Sequence, residues 1–276
     1  MLKKYCTVFC IYFAAMAAVC LIGCSKSDEG ILPLDNSYVF NSVNHRGYYT
    51  APENTLAAYY ESYQNGFTMV ECDVAFTKDG VAVLLHDETV DRTSDGTGQI
   101  SSLTLEEVRA LDFGSWKSPE YEGEQIPTFE EFIIFCRDFS LRPYVEIKKG
   151  VSAEQVKLLV DTVTGLGMKN KVTWISFSES YLKCVLKNDV FARVGYVVLS
   201  INEEVIQRAV GLRTGKNKVF VDCDFSNVDS EAIAMCKDNL LPLEVWTVNL
   251  EQDLLALDPY ISGVTSDKLN AGNVLY

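Results

Sequence analysis

The strongest constraint on the fold of this 276-residue chain is a regular alternation of short apolar runs with stretches of helical periodicity. Short apolar runs predict buried strands, whereas apolar residues that recur at intervals of three and four predict amphipathic helices. Eight candidate strands follow this pattern, at Ser42–His45, Thr68–Val74, Arg142–Lys148, Lys171–Ser176, Arg193–Leu199, Lys218–Asp222, Leu241–Val248 and Ile261–Ser266. Helical spacing is clearest at Thr55–Asn65, Ser152–Leu166 and Asp229–Asn239. The alternation predicts an α/β fold with a parallel sheet, and eight such units can close into a TIM (β/α)8 barrel.

One stretch interrupts this rhythm after the second strand. It contains an extra strand-like run at Val81–Leu85, a loop rich in Gly, Ser and Thr, and a short helix near Leu105–Leu111. Long loops inside compact domains are often functional. We therefore expect a small insertion at about residues 87–126 that lies over one end of the barrel.

The second strand carries two acids in the run "MVECDV", Met69 to Val74. Because successive strand side chains point to opposite faces, Glu71 and Asp73 must share a face. An unpaired buried charge costs several kcal/mol, so a cation or a proton must lie beside these carboxyl groups.

The strand "YVEIK" places Glu146 and Lys148 on one face in the same way. A structural ion pair between Lys148 and one acid is possible, but it would leave two of the three carboxylates unmatched. Three converging acids are better explained by a divalent cation. Ligation by oxygen alone favours Ca²⁺ or Mg²⁺ over zinc.

The chain has only two histidines, and both follow apolar runs. His45 lies in "NHRG" at the end of the first predicted strand, and His86 lies in "LLHD" at the end of the extra strand. A lone histidine is more often a core or surface residue than a catalyst. Barrel active sites, however, form at the C-terminal ends of strands, where His45 would meet Glu71 and Asp73.

Three further residues occupy positions that suit a pocket. Arg46 follows the first histidine, and a guanidinium can bind phosphate through two parallel hydrogen bonds. Glu53 in "APENT" is either a helix-start acid that stabilises the helix dipole or a ligand. Trp246 in "VWTVN" is either a core aromatic or a flat surface at the rim for an apolar or polyol group.

The N-terminus has the pattern of a secretory signal, with two lysines followed by an apolar stretch, Tyr5 to Ile22. An uncleaved transmembrane anchor is the alternative, since the stretch is nearly long enough to span a bilayer. Its ending, Leu-Ile-Gly-Cys, resembles the bacterial lipoprotein box, which implies that Cys24 is acylated. We expect an exported, membrane-anchored bacterial lipoprotein on a periplasmic or cell-surface face. Its parts would be a signal peptide at residues 1–23, a lipidated tether at 24–37 and a barrel domain at 38–276.

Charge and cysteine content limit the possible partners. The net charge of −14 becomes −16 once the two lysines of residues 1–23 are removed, which disfavours nucleic acid as a partner. Five cysteines remain beyond Cys24, scattered singly without Cys-x-x-Cys spacing. We expect buried free thiols rather than a disulfide framework or a zinc site.

The sequence resembles the glycerophosphodiester phosphodiesterase family from about Val43 to the C-terminus. The resemblance is carried, in the family's order, by "HRGYYTAPENT", "ECDVAFTKDGVAVLLHDETVDRTSDGTG", "IPTFEEF", "VEIK" and "VWTVN". These motifs are long and therefore specific. The resemblance implies a metal-dependent TIM barrel that hydrolyses a glycerophosphodiester to glycerol 3-phosphate and an alcohol.

The resemblance also implies roles for individual residues. Glu71, Asp73 and Glu146 match the metal ligands, and His45 and His86 match the general acid/base pair. The phosphate contacts match Arg46 and Lys148. The family usually ends its last strand with Thr-Asp followed by a residue and Pro, whereas "VTSDKLNAG" inserts Ser266 and lacks the Pro, so no role is expected of Asp267.

Two other functions are consistent with parts of the sequence. One is a phospholipase C-like or lysophospholipase D-like phosphodiesterase, but such an enzyme would need a wider apolar rim than Phe113 and Trp116 offer. The other is a non-catalytic surface lipoprotein that binds phosphorylated polyols. A binding protein has no need of two acid/base groups beside a metal.

Overall fold

The structure is a computed structural model that describes residues 40–275. The predicted signal peptide, the tether and Cys24 lie outside these residues. The described part contains nine strands: β1 (Asn41–Asn44), β2 (Met69–Phe76), β3 (Ala82–Leu84), β4 (Arg142–Ile147), β5 (Thr173–Ser176), β6 (Arg193–Val198), β7 (Lys218–Asp224), β8 (Leu243–Trp246) and β9 (Ile261–Ser266).

Eight of these strands form a closed parallel barrel. Their order is β1-β9-β8-β7-β6-β5-β4-β2, and a further pairing of β1 with β2 closes the ring. Strand β3 pairs with β2 in the antiparallel direction and lies outside the ring. The predicted TIM barrel is therefore confirmed.

Helices connect the strands in the expected alternation. Within the described residues they are α1 (Leu56–Gln64), α2 (Leu105–Arg109), α3 (Phe129–Asp138), α4 (Ala153–Gly165), α5 (Glu179–Asn188), α6 (Glu203–Gly211), α7 (Ser230–Asp238), α8 (Glu251–Leu255) and α9 (Ala271–Val274). Helices α2, α3 and α4 each begin with a capping box, in which an N-cap hydroxyl and a Glu or Gln three residues later satisfy each other's backbone N–H groups. None of the helices among residues 40–275 is long and apolar enough to cross a membrane.

Most element bounds differ from the sequence predictions by one or two residues. The predicted strand Ser42–His45 is observed at Asn41–Asn44, so His45 follows the strand instead of ending it. His86 likewise lies two residues beyond β3. Both histidines therefore lie in loops that follow these strands, at the mouth of the barrel.

Strand alternation sorts side chains between the inside of the barrel and the helical shell. Val70, Cys72 and Val74 of β2 pack in the large core between the strands and the helices. The barrel interior holds a separate apolar cluster contributed by six strands: Val43, Met69, Tyr144, Ile175, Val197 and Phe220. Inward-facing residues nearer the C-terminal ends of β2 and β4 therefore rest on an apolar floor.

The insertion after β2 has a small core of its own. Its buried apolar residues are Val83, Leu85, Val90, Ile100, Val108, Phe113 and Ile126. Phe113, which the sequence suggested as an exposed apolar residue, is only 3% exposed because it belongs to this core. The backbone N–H of Leu85 donates to the carbonyl of Asp73 at 3.0 Å. This bond fixes the start of the insertion, including His86, beside the inward-facing acids of β2.

The cysteines of the described part are free thiols, as expected. Cys72, Cys136, Cys223 and Cys236 are buried, and Cys184 is half-buried. They act as small apolar core residues.

Gly195 on β6 gives a test of how tightly the barrel interior is packed. A Cβ atom added at Gly195 would lie 2.3 Å from the Phe220 ring. We expect Gly195→Ala to lower the free energy of unfolding by about 1–3 kcal/mol, the usual cost of overpacking a core. Urea denaturation measures this change.

The matched control is Gly165→Ala at the end of α4, where an added Cβ has no neighbour within 4 Å. This substitution should be neutral or slightly stabilising, because Ala favours helix more than Gly does. Equal stability of the two variants would contradict tight packing at Gly195.

Candidate active site

Three carboxylates converge inside the C-terminal end of the barrel. Glu71 and Asp73 lie on β2, and Glu146 lies on the neighbouring β4, with Asp73 and Glu146 directly paired in register. One oxygen from each of the three lies within 4.8 Å of the others. Glu71 and Asp73 are 2% and 1% exposed. The three acids therefore lie together, as the sequence predicted.

Two cationic side chains lie against the acids. Lys148 Nζ is 3.3 Å from Asp73 Oδ1 and 3.1 Å from Glu146 Oε1. Arg46 Nε is 3.2 Å from Asp73 Oδ2. Glu71 accepts instead from the backbone N–H of Arg46, at 3.0 Å. Ion pairing thus reaches Asp73 and Glu146, whereas Glu71 is held by a backbone dipole.

The pKa values of the acids reflect this uneven pairing. Burial and the neighbouring charges of Asp73 and Glu146 raise the pKa of Glu71 well above its ordinary value. Burial and the charge of Asp73 raise the pKa of Glu146 to about 7. Burial opposes ionisation of Asp73 as well, but Arg46 and Lys148 outweigh it and lower the pKa of that carboxyl. The Asp73 carboxylate is therefore balanced by its cationic neighbours at neutral pH, whereas Glu71 and Glu146 favour binding of a proton or a cation.

The donor set fits a hard divalent cation. All three candidate ligands are carboxylates, which is the chemistry that Ca²⁺ and Mg²⁺ prefer. Among buried side-chain atoms of residues 40–275, four lack a hydrogen-bond partner, and two of these are Asp73 Oδ1 and Arg46 Nε. Asp73 Oδ1 contacts Lys148 Nζ at 3.3 Å without a hydrogen bond of regular geometry, so this oxygen is available as a ligand for a cation.

Each histidine at the mouth is paired with an aspartate. His45 Nδ1 is 2.7 Å from Asp267 Oδ1, and His86 Nδ1 is 2.7 Å from Asp87 Oδ1. The pKa values of both aspartates are lowered, so both are carboxylates that accept from Nδ1–H. In each ring the other nitrogen, Nε2, is then the one available for proton transfer. Burial lowers the pKa of His86 despite the opposing charge of Asp73.

Asp267 has a definite structural position that the sequence did not suggest. Besides His45, it accepts a hydrogen bond from Asn249 Nδ2 at Oδ2, at 2.5 Å. The backbone N–H of Tyr49 also donates to the carbonyl of Asp267, at 3.2 Å. The inserted Ser266 does not displace this aspartate from the site, because Ser266 remains within β9 and Asp267 follows immediately.

A chain of ion pairs links the two sides of the mouth. Arg46 Nη1 donates to Glu53 Oε1 at 3.2 Å, and Arg92 binds both oxygens of Glu53 at 2.7 and 2.8 Å. Arg92 Nε also donates to Asp87 Oδ2 at 2.6 Å. The hydrogen bond from Arg92 is the main reason that the pKa of Asp87 falls to about 2. Glu53 and Arg92 thus connect Arg46, which follows His45, with Asp87, which pairs with His86.

The turn after His45 explains the local sequence. Arg46 has φ 53° and Gly47 has φ 86°, so the backbone reverses sharply at "HRG". A Cβ atom at Gly47 would lie 2.5 Å from the Cβ of Ala58, which leaves room only for glycine. The reversal directs the N–H of Arg46 to Glu71.

Asn54 orients Asp73 from the first loop. Its Nδ2 donates to Asp73 Oδ2 at 2.9 Å, and its Oδ1 accepts from the backbone N–H of Asp73 at 3.2 Å. Tyr59 Oη donates to the same Oδ1 at 3.0 Å. The sequence analysis did not identify Asn54 as a site residue.

Trp246 is the last residue of β8 and lies at the mouth. Its indole N–H donates to the carbonyl of Asp222 at 3.2 Å. The ring packs edge to face against Phe177, with centroids 5.8 Å apart. The half-buried ring also packs against the apolar cluster of the barrel interior.

Comparison with known proteins gives consistent matches. The profile of the Glycerophosphoryl diester phosphodiesterase family matches residues 45–271. The chain is 31% identical over 215 residues to a glycerophosphodiester phosphodiesterase of Caldanaerobacter subterraneus subsp. tengcongensis, covering 77% of this chain and 87% of that protein. It is 47% identical over 226 residues to the Bacillus subtilis protein YhdW, covering 79% and 89%.

A solved structure extends these matches to three dimensions. An Oleispira antarctica phosphodiesterase, in complex with the product sn-glycerol-3-phosphate, superposes with a TM-score of 0.79 at 28% identity. The match covers 87% of this chain and 96% of that chain.

The ion-pair chain gives a test through pH. Asp87 is stabilised as a carboxylate, so its contribution to stability is present above its ordinary pKa of 3.8 and is lost as pH falls through about 2. We expect Arg92→Met to lower the free energy of unfolding by about 1 kcal/mol near neutral pH, the upper range for exposed ion pairs, and by less at acidic pH. Urea denaturation across this pH range measures the difference.

Arg208→Met is the matched control, since Arg92 and Arg208 have side chains that are 45% and 48% exposed. Arg208 pairs with Glu204 on α6, away from the mouth, and its loss should leave the turnover of substrate unchanged. A destabilisation by Arg92→Met that is the same at every pH would contradict the ion-pair account.

Proposed function

This chain belongs to the glycerophosphoryl diester phosphodiesterase family, and we propose that it hydrolyses glycerophosphodiesters to glycerol 3-phosphate and an alcohol with the help of a divalent cation. The observation that carries this proposal is the convergence of three carboxylates, two cationic side chains and two His–Asp pairs at one end of the barrel. The product held by the Oleispira antarctica structure supports glycerol phosphate as one half of the substrate.

We infer that Glu71, Asp73 and Glu146 hold the cation, either Ca²⁺ or Mg²⁺. When bound, such a cation would neutralise charge on phosphate and act as a Lewis acid. Asp73 Oδ1, which accepts no hydrogen bond, and the raised pKa values of Glu71 and Glu146 support this assignment.

Arg46 and Lys148 are proposed to contact the phosphate. A phosphodiester is anionic and repels incoming nucleophiles, so positive groups must reduce its charge during reaction. Both side chains lie at the mouth within 3.3 Å of the acid cluster, where a phosphate beside the cation would meet them. Trp246 and Glu53 are proposed to complete the substrate site. The Trp246 ring would lie beside the glycerol carbons, and the Glu53 carboxylate would orient Arg46 through their hydrogen bond.

His45 and His86 are proposed as the acid/base pair. The aspartate at each Nδ1 fixes the tautomer and stabilises the ring when it is protonated, so each Nε2 can accept or donate a proton. This paired arrangement supports catalysis over binding alone, because a site that only binds polyol phosphates gains nothing from two oriented imidazoles.

The central test is hydrolysis of glycerophosphodiesters with several alcohol groups, glycerophosphocholine among them, followed by detection of glycerol 3-phosphate. Activity should disappear on exhaustive chelation and return with Ca²⁺ or Mg²⁺. We expect Glu146→Gln to lower activity by about 100-fold or more, since even loss of a residue that only supports a metal ligand typically costs 10–100-fold.

Glu204→Gln on the exposed face of α6 makes the same chemical change outside the site and should leave activity unaltered. Turnover that survives chelation, or an inability to release glycerol 3-phosphate from any of several head groups, would refute the proposal.

The location of the enzyme is a separate proposal. We infer from the Leu21–Cys24 sequence that Cys24 is acylated and anchors an exported domain at a membrane. Cys24→Ser should abolish incorporation of a fatty-acid analogue and release the protein from the membrane fraction, because a stable lipid anchor requires the acylated cysteine. Absence of label on the unaltered protein would rule out the lipoprotein interpretation.

A further inference from the structure

We propose that the large cavity beside His86 is the site for the alcohol half of the substrate, and that it selects alcohols with an extended apolar chain. This inference rests on the proposed function, since it concerns the group that leaves when the diester is cleaved. It adds a substrate class that the catalytic groups alone do not specify.

The cavity begins at the catalytic groups and runs outward. Its volume is about 1020 Å³, and His86, Glu146 and Lys148 line it. The other walls come from the insertion and from the loops that follow β4, β5 and β6. This volume lies at the upper end of the range for pockets that enclose drug-sized ligands, so a small polar alcohol would leave most of it empty.

The side of the cavity formed after β5 and β6 is apolar, whereas the side that holds His86, Glu146 and Lys148 is charged. On the charged side, the residue just past β4 is Lys148, which contacts Glu146. The residues just past β5 and β6 are instead Phe177 and Leu199, and both line the cavity.

Both of these apolar side chains are open to water. Phe177 is 43% exposed and Leu199 is 61% exposed. Apolar surface in a concave site gains free energy when a ligand covers it. An apolar chain that leads away from the reacting phosphate would cover this wall.

The charges and aromatic rings of the cavity argue against the common small head groups. The lining carries both carboxylates and ammonium groups, so neither a cationic nor an anionic alcohol is favoured overall; these groups are those of Asp87, Glu88, Glu146, Lys148 and Lys149. Recognition of a quaternary ammonium uses several exposed aromatic faces. Two aromatic rings, those of Phe76 and Phe177, line the cavity. Because Phe76 is only 8% exposed, Phe177 alone of these two offers an exposed aromatic face.

The proposed substrates are therefore glycerophosphodiesters with a free glycerol end and a fatty or alkyl alcohol. The apolar rim that a lipid-like substrate needs is present, but it lies at Phe177 and Leu199 and not at Phe113, which is buried.

A series of sn-glycero-3-phospho-n-alkanols tests the proposal with the full-length protein and its activating cation. The ethyl, butyl, hexyl and octyl esters would be compared below their critical micelle concentrations. Each methylene that enters the cavity should raise kcat/KM by about two- to fourfold, the gain expected from burying that group. A flat or falling series, with the ethyl ester still cleaved, would overturn the inference and leave the proposed function intact. Failure to cleave any ester would refute the proposed function itself.

Two leucines of equal exposure give matched variants. Leu199 lines the cavity and Leu255 lies on α8 outside it, and both are 61% exposed. We expect Leu199→Ser to reduce the ratio of octyl to ethyl turnover by about tenfold, consistent with the loss of one apolar contact surface. Leu255→Ser should leave the ratio unchanged. An unchanged ratio in Leu199→Ser, or an equal loss in both variants, would overturn the assignment of this wall.

Discussion

The structure depends on how three carboxyl groups are kept together inside the C-terminal end of the barrel. Glu71, Asp73 and Glu146 rest on the floor formed by Val43, Met69, Tyr144 and their neighbours, where like charges repel strongly. Arg46 and Lys148 compensate only part of this charge, and two of the three acids have raised pKa values. The remaining imbalance is the physical basis for assigning a divalent cation to the site.

The catalytic groups are organised around that cluster. The turn at Arg46 presents a backbone N–H to Glu71 and its guanidinium to Asp73, and the same arginine begins the chain of ion pairs through Glu53 and Arg92 to the far side of the mouth. These ion pairs connect the acids with the Asp87–His86 pair, and Arg46 directly follows His45 in the sequence. In the proposed mechanism, two imidazoles that Asp267 and Asp87 hold in defined tautomers exchange protons with the phosphodiester.

Local patterns predicted the parts of the site that depend on one strand. The alternation in β2 was enough to place Glu71 and Asp73 on one face, and alternation along the chain was enough to predict the barrel. The pairing of His45 with Asp267 joins residues 222 positions apart and exists only once the barrel closes, so no local pattern reveals it. Arg92 likewise lies in a loop without periodicity. Phe113 was misjudged because the insertion forms its own core.

The most direct measurement of the central claim is the anomalous diffraction of crystals of the protein grown with Ca²⁺ or with Mn²⁺ as a substitute for Mg²⁺. The account predicts one strong anomalous peak bonded to carboxylate oxygens of Glu71, Asp73 and Glu146. It also predicts that Lys148 Nζ moves away from its present contacts with Asp73 and Glu146, because the ion replaces its charge. A cluster without a peak at saturating metal, with Lys148 still paired to both acids, would contradict it and indicate a purely structural ion-pair network.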